Sequence, residues 1–191
     1  MSTPINKKFS SFKGKIESYF FSYWTYLKKE YLCFIFLSIF LLFGLIIDQV
    51  LKSLIFHNHQ PGWQGHQNRT GFWAFFDFGF ALNQGLAGGI LWNFSTPVYV
   101  ILFIIIIGFF LAFIFTKDFT HKLSCGMIFV GGFSNLLDRF QYHGVVDYLQ
   151  LFNLHAGYFN IADCFVIAGL GYFLIILIFD LVISKESEPI K

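Results

Sequence analysis

From Val98 to Thr116 the chain carries no charged residue; Pro97 stands just before the run and Lys117 just after it. About 18–20 such residues are what a helix needs to cross a hydrocarbon core roughly 30 Å thick. A bilayer leaves no water for unpaired backbone groups, so a run of this kind reads as a helix. Three more segments follow the same logic. Tyr31 to Ile47 is apolar and continues past Asp48 and Lys52 to about Phe56, and another run opens near Asn160 and reaches Ile183, interrupted late by Asp180. Leu123 to Leu137 is shorter, ends at Asp138–Arg139 and carries Ser134 and Asn135, which suits a helix facing its neighbours. The expected fold is a membrane protein, a four-transmembrane-helix bundle with helices near 31–56, 97–116, 121–140 and 160–183. Composition agrees. Only 13% of the residues are charged, against about a quarter in a soluble domain.

Lysine placement predicts sidedness. Residues 1–30 hold Lys7, Lys8, Lys13, Lys15, Lys28 and Lys29; the turn around 117–122 adds Lys117 and Lys122, and the tail adds Lys185 and Lys191. The connections 57–96 and 141–159 contain no lysine. Both termini are therefore expected in the cytoplasm, with those two connections outside. The chain divides into a basic, aromatic N-terminal segment (1–30), one integral membrane domain (31–183) and a short tail (184–191). The first segment has too long a basic stretch, and no small-residue cleavage site after the first span, to be a removable targeting peptide. Residues 12–30 mix Phe, Tyr and Trp with Lys; an amphipathic stretch on the inner membrane surface and an irregular tail both fit. "FWAFFDFGFAL" is strand-like, and a small extracytoplasmic β-containing platform is expected between helices 1 and 2.

Several function classes drop out. A net charge of +2 is too small for a nucleic-acid partner. Cys33, Cys125 and Cys164 sit in apolar runs without metal-ligand spacing and are expected as small buried hydrophobes. His57, His59 and His66 crowd one loop without acidic company, so no metal or other cofactor is expected. Cys164 beside Asp163 reads as packing, not as a nucleophile, and Ser134 lacks an obvious base.

Ionisable side chains at membrane depth are costly, which makes each a functional candidate. The alternating topology places Asp48 and Lys52, four apart, at the outer end of the first helix. Asn83 falls in the outer loop. Asn135, Asp138 and Arg139 share a face at the outer end of the third helix, and Asp147 follows a few residues beyond. Asn160 and Asp163 occupy the first turn of the last helix. All of them lie at one surface. Structural roles compete: an Asp48–Lys52 ion pair, an Asn160 N-cap with Asp163 favoured by the helix dipole, and Asp138–Arg139 tying helices together. Asp147, in the apolar stretch "GVVDYLQL", has less structural use; Asp77 reads as a turn residue and Asp180 as a solvated boundary residue.

Two carboxylates brought together cannot both ionise cheaply and share a proton. One can then take a proton from an attacking water while the other hydrogen-bonds the developing oxyanion. Asp147 and Asp163 are the candidates. A small ion-coupled transporter using Asp48, Lys52, Asp138 and Arg139, or a non-catalytic scaffold, remain alternatives on the residues alone.

The ordered set "DQVLK" (48–52), "NQG" (83–85), "GGFSNLLDR" (131–139), "VVDY" (145–148) and "FNIAD" (159–163) resembles signal peptidase II, the bacterial lipoprotein signal peptidase family. The resemblance covers about 40–183. It implies an intramembrane aspartic endopeptidase of the cytoplasmic membrane. Such an enzyme removes the signal peptide from diacylglyceryl-modified prolipoproteins, cutting before the lipidated cysteine. It further implies Asp147 and Asp163 as the catalytic dyad, with Asn160 orienting it and Asn135 and Arg139 holding substrate backbone. Asp48, Lys52, Asn83 and Asp138 match positions tied to stability or activity. Membrane lipid, inhibition by globomycin and action as a monomer are implied as well. After Asn83 the family usually continues Gly-Ala-Ala-Phe, whereas here "GLAGGIL" (85–91) follows. The leading 30 residues and "HNHQPGWQGHQNRTGF" exceed the family's needs, the latter as a lid or as decoration.

Overall fold

The computed structural model describes residues 4–58, 76–85, 96–151 and 157–186. Among the described residues four helices and two strands follow in the order α1 (Pro4–Asn58), β1 (Phe76–Asn83), α2 (Thr96–Phe115), α3 (Phe119–Tyr142), β2 (Val145–Leu151) and α4 (Ile161–Glu186). Two compact units divide the chain, Met1–Phe40 and Leu41–Lys191. The first is the greater part of α1, whose helix runs from Pro4 ahead of the apolar segment Glu30–Asn58 that falls at the expected 31–56. Nothing between Pro4 and Tyr31 breaks a helix: the only glycine there is Gly14, and no proline follows Pro4.

In the second unit α3 is the central element. Its N-terminus is capped by Asp118, whose carboxylate accepts from the His121 N–H at 3.0 Å and also from the Thr120 hydroxyl. The helix begins before residue 121, so Lys122 is not a turn residue. It is buried, and its ammonium donates to the Phe113 and Ile114 carbonyls at 2.9 and 3.2 Å. Those carbonyls belong to the last turn of α2, so the lysine serves as a C-terminal cap of that helix. His121 also reaches Asp180 of α4 at 3.5 Å, and Asp180 itself is exposed.

α3 meets α4 at short range because small residues face each other. A Cβ on Gly131 would collide with the Ala162 carbonyl and Val166, and one on Gly169 would lie 3.0 Å from the Ser124 carbonyl. The Ser124 hydroxyl donates to the Gly169 carbonyl at 3.2 Å, a bond that only this close approach permits.

The outward faces are apolar. Ile104 of α2 and Phe179 of α4 are exposed by 62% and 65%. Glu30–Asn58 and Ile161–Val182 are each long and apolar enough to cross a membrane, and Tyr99–Phe115 is a shorter apolar helix. An apolar helix surface of this kind needs no covering protein, so Cys33 and Cys164 are exposed; only Cys125 is buried as expected.

β1 and β2 pair antiparallel, so the expected β platform between helices 1 and 2 is completed by a strand from the second lysine-free connection. The register runs Phe76↔Leu151 to Phe78↔Leu149, slips by one at a bulge, and resumes at Ala81↔Asp147 to Asn83↔Val145. Asp77 lies inside β1, opposite Gln150, and not in a turn: the alternation of Phe76, Phe78 and Phe80 carries the strand through it. Gly79 sits at the bulge with Tyr158 packed against it so tightly that a Cβ would not fit. Phe159 extends the sheet edge, exchanging two 2.7 Å backbone bonds with Leu149.

Candidate active site

Asp147 enters from the strand. The bulge register sets Asn83 diagonal to it, and the Asn83 amide donates to Asp147 Oδ2 at 3.1 Å. The other oxygen, Oδ1, accepts from Asn160 Nδ2 at 2.7 Å. Asp163 enters from the first turn of α4. Its Oδ1 accepts from Asn135 Nδ2 at 2.8 Å and its Oδ2 from the Asn160 backbone N–H at 3.2 Å.

Asn160 therefore serves both acids at once. Its Oδ1 accepts from the Asp163 N–H at 2.8 Å, which with the reverse bond makes a reciprocal capping box at the start of α4. Its Nδ2, on the far side of the same amide, is left for Asp147. The N-cap role and the site role weighed from the sequence coexist in one side chain.

Behind the acids lies a fully buried ionic cluster. Lys52 sits 2.8 Å from Asp48 and 3.1 Å from Asp138, and its third strong contact is Asn135 Oδ1 at 2.8 Å. Asp48 also accepts from the Ser134 hydroxyl (2.6 Å), the Tyr148 hydroxyl (3.2 Å) and the Ala162 N–H (3.1 Å). Asp138 takes the Val146 N–H at 3.0 Å and the Gln49 amide at 2.9 Å. Buried charges are tolerated only when paired and hydrogen-bonded, and here each carboxylate has both. Asp48, Lys52 and Asp138 thus join α1, α3, β2 and α4. Arg139 donates to the Asn135 and Gly85 carbonyls at 2.9 and 3.2 Å.

Three participants were not assigned from the sequence. Gln49 bridges Ser134 and Asp138, Ser134 bonds Asp48, and Tyr148 links Asp48 to the Ile161 N–H. The signal was present for Ser134, which stands four before Asp138 on the same helical face.

A cleft of about 450 Å³ opens beside the acids. Asp147, Asp163, Asn83, Asn135, Arg139 and Tyr158 line it, and it continues along Leu102, Ile106 and Phe109 of α2, Ile128 of α3 and Leu170 of α4. Burial, then the neighbouring Asp163 charge, push the Asp147 carboxyl up to about 7, against the pull of the Asn83 and Asn160 amides and of Lys52. The arrangement is a pair of acids, one readily protonated near neutrality, at the mouth of an apolar groove. His59, His66 and His155, and most of "GLAGGIL" and of the loop read as a lid, lie outside the described residues; His57 bonds the Ser53 carbonyl at 2.8 Å.

An apolar-surfaced helical unit with a small two-stranded sheet is the fold of solved bacterial membrane enzymes. One bacterial membrane enzyme is similar with a TM-score of 0.70 and 26% identity, covering 81% of this chain and 94% of its own. A second gives 0.63 and 26%, covering 74% and 91%. The family model for signal peptidase (SPase) II matches residues 39–179. The lipoprotein signal peptidase of Helicobacter acinonychis is 32% identical over 149 residues, 74% of this chain and 85% of the relative. That of Thermodesulfovibrio yellowstonii is 29% identical over 140 residues, 72% and 90% respectively. The chain belongs to the signal peptidase II family.

Proposed function

We propose that this protein is an aspartic endopeptidase that removes the signal peptide from diacylglyceryl-modified prolipoproteins, cleaving before the lipidated cysteine. The observation that carries the reading is the Asn160 side chain and backbone holding Asp147 and Asp163 at one cleft. One acid holds the shared proton; the other draws a proton from water as the water attacks the scissile carbonyl, and the protonated acid hydrogen-bonds the oxyanion. The raised Asp147 favours it as the proton holder. Arg139 and Asn135 orient the substrate backbone, and Asn83 and Asn160 hold Asp147 in place. The groove along α2 and α4 receives apolar substrate, an h-region or acyl chain. Lys52 is locked between Asp48 and Asp138 by two ion pairs, which argues against an ion pathway through them and for a supporting role.

In this reading α1 to α4 each span the cytoplasmic membrane of a bacterial cell. Both termini are cytoplasmic and the acids lie near the extracytoplasmic face, as the lysine distribution requires. The substrate arrives by lateral diffusion, held by its own acyl chains. The enzyme works as a monomer and is blocked by globomycin-type inhibitors. The test is cleavage of a prolipoprotein, with and without its diacylglyceryl group, by the purified protein in detergent. Cleavage of the lipidated form alone, blocked by globomycin and absent in Asp147→Asn and Asp163→Asn, is expected. Normal turnover by either variant overturns the dyad.

A further inference from the structure

One polar side chain at the cleft has no part in the chemistry above. Tyr158 lines it together with Asp147 and Asp163, and its ring is half-buried. The residue is held at both ends. At its backbone end, Phe159 exchanges two 2.7 Å bonds with Leu149, and the buried Asn160 that follows bonds both acids. At its far end, the ring edge and the hydroxyl rest on Gly79, the buried residue at the bulge of β1. A Cβ on Gly79 would overlap Tyr158 Cε1, Cζ and Oη. A glycine inside a strand marks close approaches of this kind. The ring and Asp147 thus share one support, the β1–β2 pair.

The hydrogen bonds of the cleft single this residue out. Asn83 directs Nδ2 to Asp147, and its Oδ1 accepts from the Gly85 N–H. Asn135 directs Nδ2 to Asp163, and Arg139 donates to two main-chain carbonyls. The Tyr158 hydroxyl makes no hydrogen bond among the described residues. In the free protein the ring is partly open to solvent. A peptide drawn across the acids would shut that solvent out, and an enclosed hydroxyl without an acceptor costs free energy. Every peptide, whatever its side chains, brings a carbonyl oxygen at each residue.

We propose that Tyr158 is a substrate-binding residue, its hydroxyl donating to a main-chain carbonyl of the bound peptide from a ring position that Gly79 makes possible. The inference rests on the reading of this cleft as the site of peptide cleavage.

The experiment measures initial rates of cleavage of a diacylglyceryl-modified prolipoprotein in detergent, over a range of substrate concentrations, for the full chain and its variants. Tyr158→Phe keeps the ring and removes only the donor. Its KM should rise about three- to ten-fold, the range for one neutral hydrogen bond, with kcat and the pH profile of kcat unchanged. Its melting temperature should equal the parent's, because the hydroxyl has no bond to lose in the free protein. Gly79→Ala should also raise KM, by driving the ring aside. In the Tyr158→Ala background, where the ring is gone, the same substitution should add nothing. A parental KM in Tyr158→Phe overturns the proposal. A fall in kcat at unchanged KM overturns it as well, and so does a lowered melting temperature, which would give the hydroxyl a structural role. A cost of Gly79→Ala that persists beside Tyr158→Ala overturns the part assigned to Gly79. A folded parent protein that leaves the lipidated substrate uncut fails the cleavage reading itself, and the role of Tyr158 falls with it.

Discussion

Lys52 donates to Asn135 Oδ1 at 2.8 Å, and that bond decides which end of the amide faces Asp163. With Oδ1 turned to the ammonium, Nδ2 is left to donate to the carboxylate. The ionic cluster therefore reaches the candidate dyad through one side chain. Lys52→Met is expected to remove the only cation placed between Asp48 and Asp138, at a cost of about 3–5 kcal/mol for the uncompensated buried charges. Thermal unfolding in detergent would read this as a large loss. A variant with unchanged melting would show that the cluster is not ionised as the geometry requires.

Asn160 separates capping from chemistry. Asn160→Ala removes both the cap and the donor to Asp147, so stability should fall by about 1 kcal/mol and cleavage should collapse. Asn160→Ser keeps an oxygen for the Asp163 N–H but has nothing to reach Asp147. Its melting temperature should return close to that of the parent while cleavage stays at least about 100-fold down, within the usual range for a group that positions a reacting acid or base. Recovery of activity together with stability would reduce Asn160 to a helix cap.

The pH dependence has a definite sign. Asp147 is pushed up to about 7 by burial and by Asp163, so the folded protein binds its proton more tightly than the unfolded chain does. Stability from this group is fully present below about pH 4, the ordinary carboxylate range, and is lost as pH rises through about 7. Melting temperature should thus decline over that interval, and Asp147→Asn should flatten the decline. An equally steep fall in the variant would assign it to another group.

The legibility of the fold followed the physics of each signal. Apolar runs located α2, α3 and α4 within a few residues, and the apolar part of α1 at Glu30–Asn58. The spacings 48/52, 135/139 and 160/163 placed the site residues on shared faces, and the structure brings Asn135, Asn160, Asp147 and Asp163 into one network. The strand partner of β1 was not legible: pairing across more than sixty residues leaves no local trace, and "FWAFFDFGFAL" alone could not name β2. Lys122 misled for a related reason. A lysine beside a turn ordinarily marks water, and only its bonds to the Phe113 and Ile114 carbonyls at the end of α2 explain a buried one. The helical state of residues 4–30 was obscured by their aromatic residues, which are weak helix formers individually.

The α3–α4 contact gives a prediction independent of the chemistry. Gly131 faces the Ala162 carbonyl and Val166 N, backbone atoms that cannot swing aside as a side-chain tip can. They belong to the first turns of α4, the same turns that present Asp163. Gly131→Val should force the helices apart, lowering stability by about 1–3 kcal/mol in the manner of an overpacked core. It should also reduce cleavage more than that loss alone explains, because Asp163 moves with the α4 backbone while Asp147 stays with β2. Gly108, where an added Cβ meets nothing within 4 Å, is the control: Gly108→Ala on the apolar surface of α2 should leave melting and turnover unchanged. Thermal unfolding and single-turnover cleavage measured on both variants in the same detergent would check this, and a fully active, fully stable Gly131→Val would show that the two helices tolerate a wider spacing.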